Sequence, residues 1–210
     1  NFEGVLKTKS ELYDHVRSNN GKLIVNTDDH ILMEAALKRS QEILGYGEQQ
    51  GELQGKLAYL DPYVHLSYSF ENYSSPVIHT QMVGKYNFYN FLAALRIGLY
   101  FGIDPALLNA AIAAYVPTNK RSQVEKTAQN TVIVDCYNAN PSSMASALGS
   151  FVEMQHSQKL IIIGDMLELG QEGPQEHQKI LDFVAINQLN AYTVGPIFKS
   201  INPSGFENTN

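Results

Sequence analysis

The side chains best suited to chemistry lie in one short segment, Asp135 to Asn140, which reads Asp-Cys-Tyr-Asn-Ala-Asn. The segment places a carboxylate, a phenol and two carboxamides between a predicted strand, Thr131–Val134, and a helix predicted to begin at Pro141. Ligands of open α/β sheets bind outside the carboxyl ends of the strands, and helix N-termini attract anions through their unpaired N–H groups. The segment is therefore either a ligand-binding loop or an ordinary connection in which Asn140 caps the helix.

A second acidic loop follows the next predicted strand, Leu160–Ile163. Asp165 would leave this strand at the same sheet edge as Asp135, because the carboxyl ends of parallel strands meet at one edge. We therefore expect the two carboxylates to project alongside each other. A solvent-facing Gly-Asp turn is the alternative interpretation of the same residues.

Two carboxamides mark the start of another predicted helix. Asn87 and Asn90 are three residues apart and therefore share one helical face. A carboxamide offers both a donor and an acceptor, so the pair could bind the edge of a purine. The alternative, which the spacing alone favours, is a helix start with exposed amides.

Two cations have surroundings that allow more than one interpretation. Lys9 lies in the first predicted helix, where a charged side chain usually faces solvent. Arg121 lies in the polar stretch Pro117–Gln123, which is predicted to be a linker between two domains. A guanidinium there would either bind a phosphate through two parallel N–H donors or simply be exposed.

The elements that position these residues follow from hydrophobic periodicity and from turn residues. In the first half of the chain the pattern predicts helices at about 6–16, 31–44, 85–101 and from 105 onwards, with strands at 23–25, 64–70 and 77–83. After residue 117 it predicts strands at 131–134, 160–163 and 191–194, alternating with helices at 141–154 and 174–188. Such alternation predicts a parallel sheet covered by helices, so the fold class is α/β.

Composition excludes several classes of protein. The 210 residues are 44% hydrophobic, enough for a core, and a net charge of −6 argues against non-specific nucleic-acid binding. No apolar stretch is long enough to cross a membrane, and no signal peptide is recognisable. The single cysteine, Cys136, suits a reducing compartment, and the six histidines do not have zinc-ligand spacing. We therefore expect a soluble, cytoplasmic protein with no nucleic-acid partner and no membrane insertion.

Taken in this order, the segments resemble the Mur ligase family, ATP-dependent enzymes that form amide bonds in peptidoglycan precursor synthesis. The segment from Asp135 to Asn140, and the segment from Gly164 to Gly170 (Gly-Asp-Met-Leu-Glu-Leu-Gly), are similar to two motifs of the branch that adds D-alanyl-D-alanine. The pattern Gly84-x-x-Asn87-x-x-Asn90 is similar to a helix start shared across the family. The beginning of the chain resembles the helix that bears the family's carbamylated lysine, followed by the strand end Val25-Asn26-x-Asp28-Asp29.

The resemblance implies roles for six residues of this sequence. Lys9 corresponds to a catalytic lysine that is carbamylated and then ligates one of two Mg²⁺ ions. Asn87 and Asn90 correspond to amides on the adenine side of ATP, and Arg121 to a catalytic interdomain arginine on the nucleotide phosphates. Asp135 corresponds to an acid near the ribose, and Asn138 lies in a loop that faces the phosphates.

Three positions depart from the family pattern. Tyr86 stands where the family has histidine, Cys136 where it has serine, and Asn119-Lys120-Arg121 where it has a Gly-Arg pair. The first departure bears on the adenine assignment of the neighbouring Asn87.

The implied activity is an ATP-dependent joining of D-alanyl-D-alanine to UDP-N-acetylmuramoyl-tripeptide through an acyl phosphate, with ATP and Mg²⁺ as cofactors. Residues 1–116 would be the latter part of the central ATP-binding domain, and residues 117–210 a truncated, Rossmann-like C-terminal domain with a largely parallel sheet. The resemblance places the phosphate loop upstream of Asn1, so the chain alone is expected to be inactive. Two alternatives stay open: another amino-acid ligase of the superfamily, such as a folylpolyglutamate synthetase, and a non-catalytic nucleotide-binding module.

Overall fold

A computed structural model describes residues 2–39, 42–136 and 138–201, and the chain divides into two compact units. The first unit comprises Asn1–Met82 and Tyr86–Val116, and the second comprises Val83–Lys85 and Pro117–Asn210. Both units mix helices with strands, which confirms the predicted α/β class. Within the described residues, no helix combines the length and the apolar character that a membrane span requires.

The first unit begins with two helices and two parallel strands: α1 (Phe2–Ser18), β1 (Leu23–Asn26), α2 (His30–Leu37) and β2 (Ile43–Gly47). The predicted helix over residues 31–44 is wrong in its second half, because α2 ends at Leu37. Ile43 instead pairs with Leu23 in the parallel ladder between β1 and β2. A short apolar run such as Ile43-Leu44 fits either period, and strand pairing decides its structure here.

An antiparallel region continues the same sheet. Its strands are β3 (Leu53–Leu60), β4 (Tyr63–Phe70), β5 (Tyr73–Ser74) and β6 (Ile78–Val83). β3 is parallel to β2 and antiparallel to β4, and β4 also pairs with β5 and β6, so the sheet has six strands. The predicted strands at 64–70 and 77–83 are confirmed as β4 and β6.

Two helices cover one face of this sheet, α3 (Asn87–Tyr100) and α4 (Pro105–Ala114). Phe88 and Leu92 of α3 are buried against Leu66 of β4. The packing is close, since a Cβ on Gly55 of β3 would come within 2.4 Å of a methyl carbon of Leu92. As predicted, Asp104 caps α4 by accepting the N–H of Ala106.

Within the described residues, and besides a short 3₁₀ helix at Gly170–Glu172, the second unit contains three α-helices and four strands. They are β7 (Gln123–Lys126), β8 (Thr131–Val134), α5 (Pro141–Glu153), β9 (Leu160–Gly164), α6 (Gly173–Ile186), β10 (Asn190–Val194) and α7 (Pro196–Ile201). β9 and β10 pair in parallel around α6, as the alternation predicts. β7 was not predicted; it begins at the end of the predicted linker Pro117–Gln123 and forms an antiparallel hairpin with β8.

Candidate functional site

The end of β1 is held by a carboxylate that organises the loop after β2. Asp28 accepts the backbone N–H groups of Glu48 (2.6 Å), Gln49 (3.1 Å) and Gln50 (3.3 Å). The loop needs glycine at position 47, since a Cβ there would lie 2.5 Å from the Gln50 carbonyl oxygen and 2.7 Å from Asp28 Oδ1. Charge-assisted hydrogen bonds of this kind are among the stronger ones in proteins, so Asp28 fixes the loop.

The neighbouring acidic residue, Asp29, binds a different part of the backbone. Asp29 accepts the N–H groups of Ile31 and Leu32, both at 3.0 Å, and is therefore the N-cap of α2. The two adjacent aspartates thus bind backbone in opposite directions, Asp28 towards the β2 loop and Asp29 towards the helix. The resemblance identified this strand end without assigning either role.

Helix α3 joins the same group of residues through its first turn. The Tyr89 hydroxyl donates to Asp28 Oδ2 at 3.2 Å. Burial, together with the nearby Asp28 carboxylate, raises the pKa of the Tyr89 phenol, so the hydroxyl keeps its proton and remains a donor. Asp28 therefore fixes both the β2 loop and the start of α3.

The predicted carboxamide pair comes together at this helix start. Asn90 donates from Nδ2 to Asn87 Oδ1 at 3.0 Å, and Asn87 is only 2% exposed while Asn90 is exposed. Because the buried amide orients the exposed one, Asn90 is presented to solvent in a defined direction. This is an arrangement that can bind the donor and acceptor groups of a heterocycle.

Lys9 lies on α1 and is exposed, next to the buried Ser10. Among the side chains that the structure describes, no carboxylate lies within 4.0 Å of its ammonium. The structure thus places Lys9 where a reagent in solution can reach it. Its carbamylation and its metal-ligand role stay predictions.

In the second unit, two predicted segments come together. The N–H of Cys136 donates to the carbonyl of Lys120 at 3.0 Å, which ties the loop after β8 to the segment that contains Arg121. Arg121, Asp135 and Asn138 are all exposed. Tyr137, the phenol of the predicted motif, lies outside the described residues.

The backbone on both sides of Arg121 is unusual. Lys120 has a φ of 57° and Ser122 a φ of 49°, values that residues other than glycine rarely adopt. Ser122 is 2% exposed, so the turn is anchored on one side while Arg121 points outwards. Strained backbone of this kind is often found where a side chain must be held for function.

The following helix is capped as predicted. Asn140 Oδ1 accepts the N–H of Ser143 at 2.9 Å, and Ser143 Oγ accepts the N–H of Asn140 at 3.2 Å, which completes a capping box at the start of α5. Asn140 is therefore occupied by the helix, whereas Asp135 and Asn138 of the same loop are exposed.

Asp165 does not project beside Asp135, contrary to the sequence-based expectation. Its side chain is 4% exposed and accepts the N–H groups of Ile197 (2.9 Å) and Phe198 (3.0 Å), so it caps α7 from the loop after β9. Gly195 makes room for it, since a Cβ there would come within 2.3 Å of the carboxylate. The carboxylate emerges at the strand end as predicted but binds helix backbone.

A buried histidine completes this structural group, and sequence analysis missed it. His177 Nε2 accepts the N–H of Met166 at 3.0 Å, so Nδ1 carries the proton and donates to the Gly173 carbonyl at 2.7 Å. With both nitrogens used, its 3.5 Å approach to Asp165 Oδ1 is a packing contact. The available sequence signal was its position four residues after Gly173, the first residue of α6, which brings the imidazole within reach of the Gly173 carbonyl.

Two family models match the chain, one to each part. Residues 1–98 match the Mur ligase middle domain, and residues 120–201 match the Mur ligase glutamate ligase domain. The chain belongs to the Mur ligase family. Members of this family are ATP-dependent amide-forming ligases.

Named relatives and solved structures show which Mur ligases this chain is similar to. The UDP-N-acetylmuramoyl-tripeptide--D-alanyl-D-alanine ligase of Treponema pallidum is 32% identical over 127 residues, which are 60% of this chain and 28% of that protein. The crystal structure of MurF from Acinetobacter baumannii has a TM-score of 0.79 at 25% identity, covering 94% of this chain and 43% of that one. MurF from Thermotoga maritima in complex with ADP has the same fold, with a TM-score of 0.81 at 18% identity and coverage of 96% and 46%.

The chain spans about a quarter to a half of the length of these relatives. In the first unit, the exposed Asn90 offers amide groups of the kind that pair with a heterocycle. In the second unit, the exposed Arg121 and Asp135 offer charged groups of the kind that bind phosphate and hydroxyl groups. The described part of the chain brings no three His, Cys, Asp or Glu side chains together, so these residues do not by themselves make a Mg²⁺ site.

Proposed function

We propose that this Mur ligase chain belongs to an enzyme that joins D-alanyl-D-alanine to UDP-N-acetylmuramoyl-tripeptide with hydrolysis of ATP. The observation that carries the proposal is the similarity to MurF across both units, 94% of this chain at a TM-score of 0.79. The motifs around Asp135 and Gly164, which resemble the D-alanyl-D-alanine-adding branch, support the same substrate pair. We place the reaction in the cytoplasm, where the single Cys136 would stay reduced.

In the proposed reaction, the terminal carboxylate of the tripeptide attacks the γ-phosphorus of ATP and forms an acyl phosphate, and ADP leaves. The amine of D-alanyl-D-alanine then attacks the acyl carbon, the C–O bond to phosphate breaks, and the amine loses a proton as the amide forms. Both steps depend on positioning the reactants and on stabilising charge at the transferred phosphoryl group. When bound, Mg²⁺ supplies part of that charge neutralisation.

Within the first unit, we assign the adenine to the carboxamide pair. Asn90 would bind the purine edge, and Asn87 would hold Asn90 through the 3.0 Å hydrogen bond between their side chains. The contact between Tyr89 and Asp28 supports the assignment, because it fixes the turn of α3 that carries both amides. We assign a carbamylated Lys9 as one ligand of Mg²⁺, for which its exposure leaves room.

Within the second unit, we assign the ribose and the phosphates. Asp135 would accept hydrogen bonds from the ribose hydroxyls, which suits an exposed carboxylate at a strand end. Arg121 would bind the phosphates, and its position between two left-handed residues supports this role. Asn138, exposed in the same loop as Asp135, would face the phosphates.

The decisive experiment measures phosphate release by the purified gene product that contains these 210 residues. We expect release to require ATP, UDP-N-acetylmuramoyl-tripeptide and D-alanyl-D-alanine together. Lys9→Ala should lower the rate at least 100-fold, whereas Lys7→Ala, which removes an exposed lysine from the same helix, should leave it unchanged.

Two results would contradict the proposal. Turnover with a folate and glutamate in place of the two peptidoglycan precursors would identify a folylpolyglutamate synthetase. Nucleotide binding without any turnover would identify a non-catalytic module. Equal rates for Lys9→Ala and Lys7→Ala would restrict Lys9 to a surface charge while leaving the substrate assignment intact.

A further inference from the structure

Three side chains that the ligase assignment does not use form a cluster on the antiparallel region. They are Tyr59 of β3, His65 of β4 and His79 of β6. Tyr59 and His65 are partners in the β3–β4 ladder, so their side chains project from the same face of the sheet. β6 also pairs with β4 and brings His79 to that face.

The His65 imidazole and the Tyr59 phenol converge on Nδ1 of His79. His65 Nδ1 and His79 Nδ1 are 3.2 Å apart, and Tyr59 Oη is 3.1 Å from His79 Nδ1. His65 is buried at 7% exposure, whereas His79 and Tyr59 are exposed, so the point of convergence can be reached from solvent. The buried ring also lies against Tyr59, with ring centroids 4.3 Å apart, and its orientation is therefore fixed.

Only one of the two contacts at His79 Nδ1 can be a full hydrogen bond within the cluster. Nδ1 carries either one proton or one lone pair, and it faces both the Tyr59 hydroxyl and His65 Nδ1. A metal ion, by contrast, would accept an electron pair from each of the three. Two nitrogen ligands about 2.0–2.1 Å from one tetrahedral ion lie about 3.3 Å apart, which matches the separation of the two Nδ1 atoms.

We propose that His65 and His79, with Tyr59 as an oxygen donor and water in the remaining position, bind a divalent transition-metal ion of the zinc type. Imidazole nitrogen suits Zn²⁺, Cu²⁺ and Ni²⁺, whereas Mg²⁺ requires oxygen ligands. Each ring would bind through Nδ1 and carry its proton on Nε2, so no oxidation or reduction occurs.

The site would be distinct from the proposed nucleotide site. Tyr59 lies six residues along β3 from Leu53, the residue that follows the β2 loop, and this corresponds to about 20 Å of strand. A metal ion there would link β3, β4 and β6 and would stabilise the folded first unit by mass action.

The test titrates the full 210-residue chain with ZnCl₂ at pH 7.5 by calorimetry, with Co²⁺ absorption as a second readout. We expect one ion per chain, the visible absorption of tetrahedral Co²⁺, and a Tm that rises with zinc. His79→Gln, a change at an exposed position, should weaken binding at least tenfold, and Tyr59→Phe several-fold. His30→Gln, which removes another exposed histidine of the same unit, should leave the affinity unchanged.

The proposal is overturned if zinc binds the wild-type chain and His79→Gln equally, or if zinc changes neither heat nor Tm at about 100-fold molar excess. His65→Asn should behave as His79→Gln does, and circular dichroism would show whether that buried substitution still folds. Because His79 is exposed, the result with His79→Gln stands even if His65→Asn unfolds.

Discussion

At the scale of single residues, the carboxamide pair is the sharpest feature of the first unit. Asn87 is buried and holds the side chain of Asn90 by a hydrogen bond, whereas Asn90 is exposed and can contact a ligand. We therefore expect Asn90→Ala to weaken ATP binding about tenfold, the loss of one to two hydrogen bonds, with little effect on stability. Calorimetry of ATP binding by the gene product that contains this chain would measure the change.

The matched control for that substitution is Asn109→Ala in α4, where the amide donates to Tyr73 and lies away from the start of α3. Its ATP affinity should equal that of the wild type. If Asn90→Ala also retains full affinity, the amide pair is only a helix start and the adenine assignment is wrong.

Tyr68 allows a prediction about pH. Its hydroxyl is buried and has no hydrogen-bond partner among the described residues, and burial, with smaller effects from Tyr73 and Asp104, raises the pKa of its phenol to about 12. Since an unfolded tyrosine titrates near pH 10, the unfolded chain ionises first as pH rises. Stability from this group is therefore complete below pH 10 and is lost between pH 10 and about 12.

Urea unfolding of Tyr68→Phe would check that prediction. At pH 7 the variant should be as stable as the wild type or slightly more so, because it removes a buried hydroxyl without a partner. Between pH 7 and pH 11 it should lose less stability than the wild type. Tyr192→Phe, at a 53% exposed tyrosine, is the control, and an identical pH dependence for Tyr68→Phe and wild type would refute the argument.

At the scale of elements, the cap on α7 is the most consequential interaction of the second unit. α7 has six residues, too few to be stable in isolation, and Asp165 accepts its first N–H groups. Asp165→Ala should therefore destabilise this unit by about 1–3 kcal/mol. Amide hydrogen exchange at Ile197 and Phe198 should accelerate in the variant. This measurement locates the destabilisation at the start of α7, whereas urea unfolding reports only the total loss of stability.

Glu168→Ala is the control for the cap, since Glu168 is exposed in the same loop. It should change neither stability nor exchange measurably. Unaltered exchange at Ile197 in Asp165→Ala would mean that α7 is held by the packing of Phe198 and not by its cap.

Helices whose first residues include a capping side chain could be predicted from the sequence. Elements that depend on a partner distant in the sequence could not. Asn140 before Pro141 and Asp104 before Pro105 mark helix starts by local hydrogen bonds, and both caps are confirmed. The strand Ile43–Gly47 exists because β1 lies beside it, so its short apolar run did not reveal it. Asp165 was placed at the correct strand end, but a helix more than 30 residues later decides what its carboxylate contacts.

The candidate site likewise combines local contacts with contacts between distant segments. The spacing of Asn87 and Asn90 predicted their meeting because both stand on one helix. The hydrogen bond from Tyr89 to Asp28 joins residues 61 positions apart, so no local sequence pattern predicts it. The contact between the Cys136 and Lys120 segments depends in the same way on the hairpin of β7 and β8.

At the scale of the whole molecule, we assign residues of each unit to ATP, and the described residues do not by themselves make a Mg²⁺ site. Within the described residues, no three His, Cys, Asp or Glu side chains are grouped to hold an ion. We therefore expect the 210 residues alone to release no phosphate in response to D-alanyl-D-alanine, even with ATP and Mg²⁺ in excess. A colorimetric phosphate assay with the purified chain tests this, and measurable release that depends on D-alanyl-D-alanine would refute it.

The cap from Asp165 to α7 also has a consequence for how the second unit assembles during synthesis. The carboxylate leaves the ribosome about 30 residues before the N–H groups that it binds at Ile197 and Phe198. Until β10 pairs with β9, nothing holds those amides near it, so a six-residue helix has no nucleus to grow from. A nascent chain that ends before residue 196 therefore lacks the N–H groups that Asp165 accepts, and the cap of α7 can form only after residues 197 and 198 have been added.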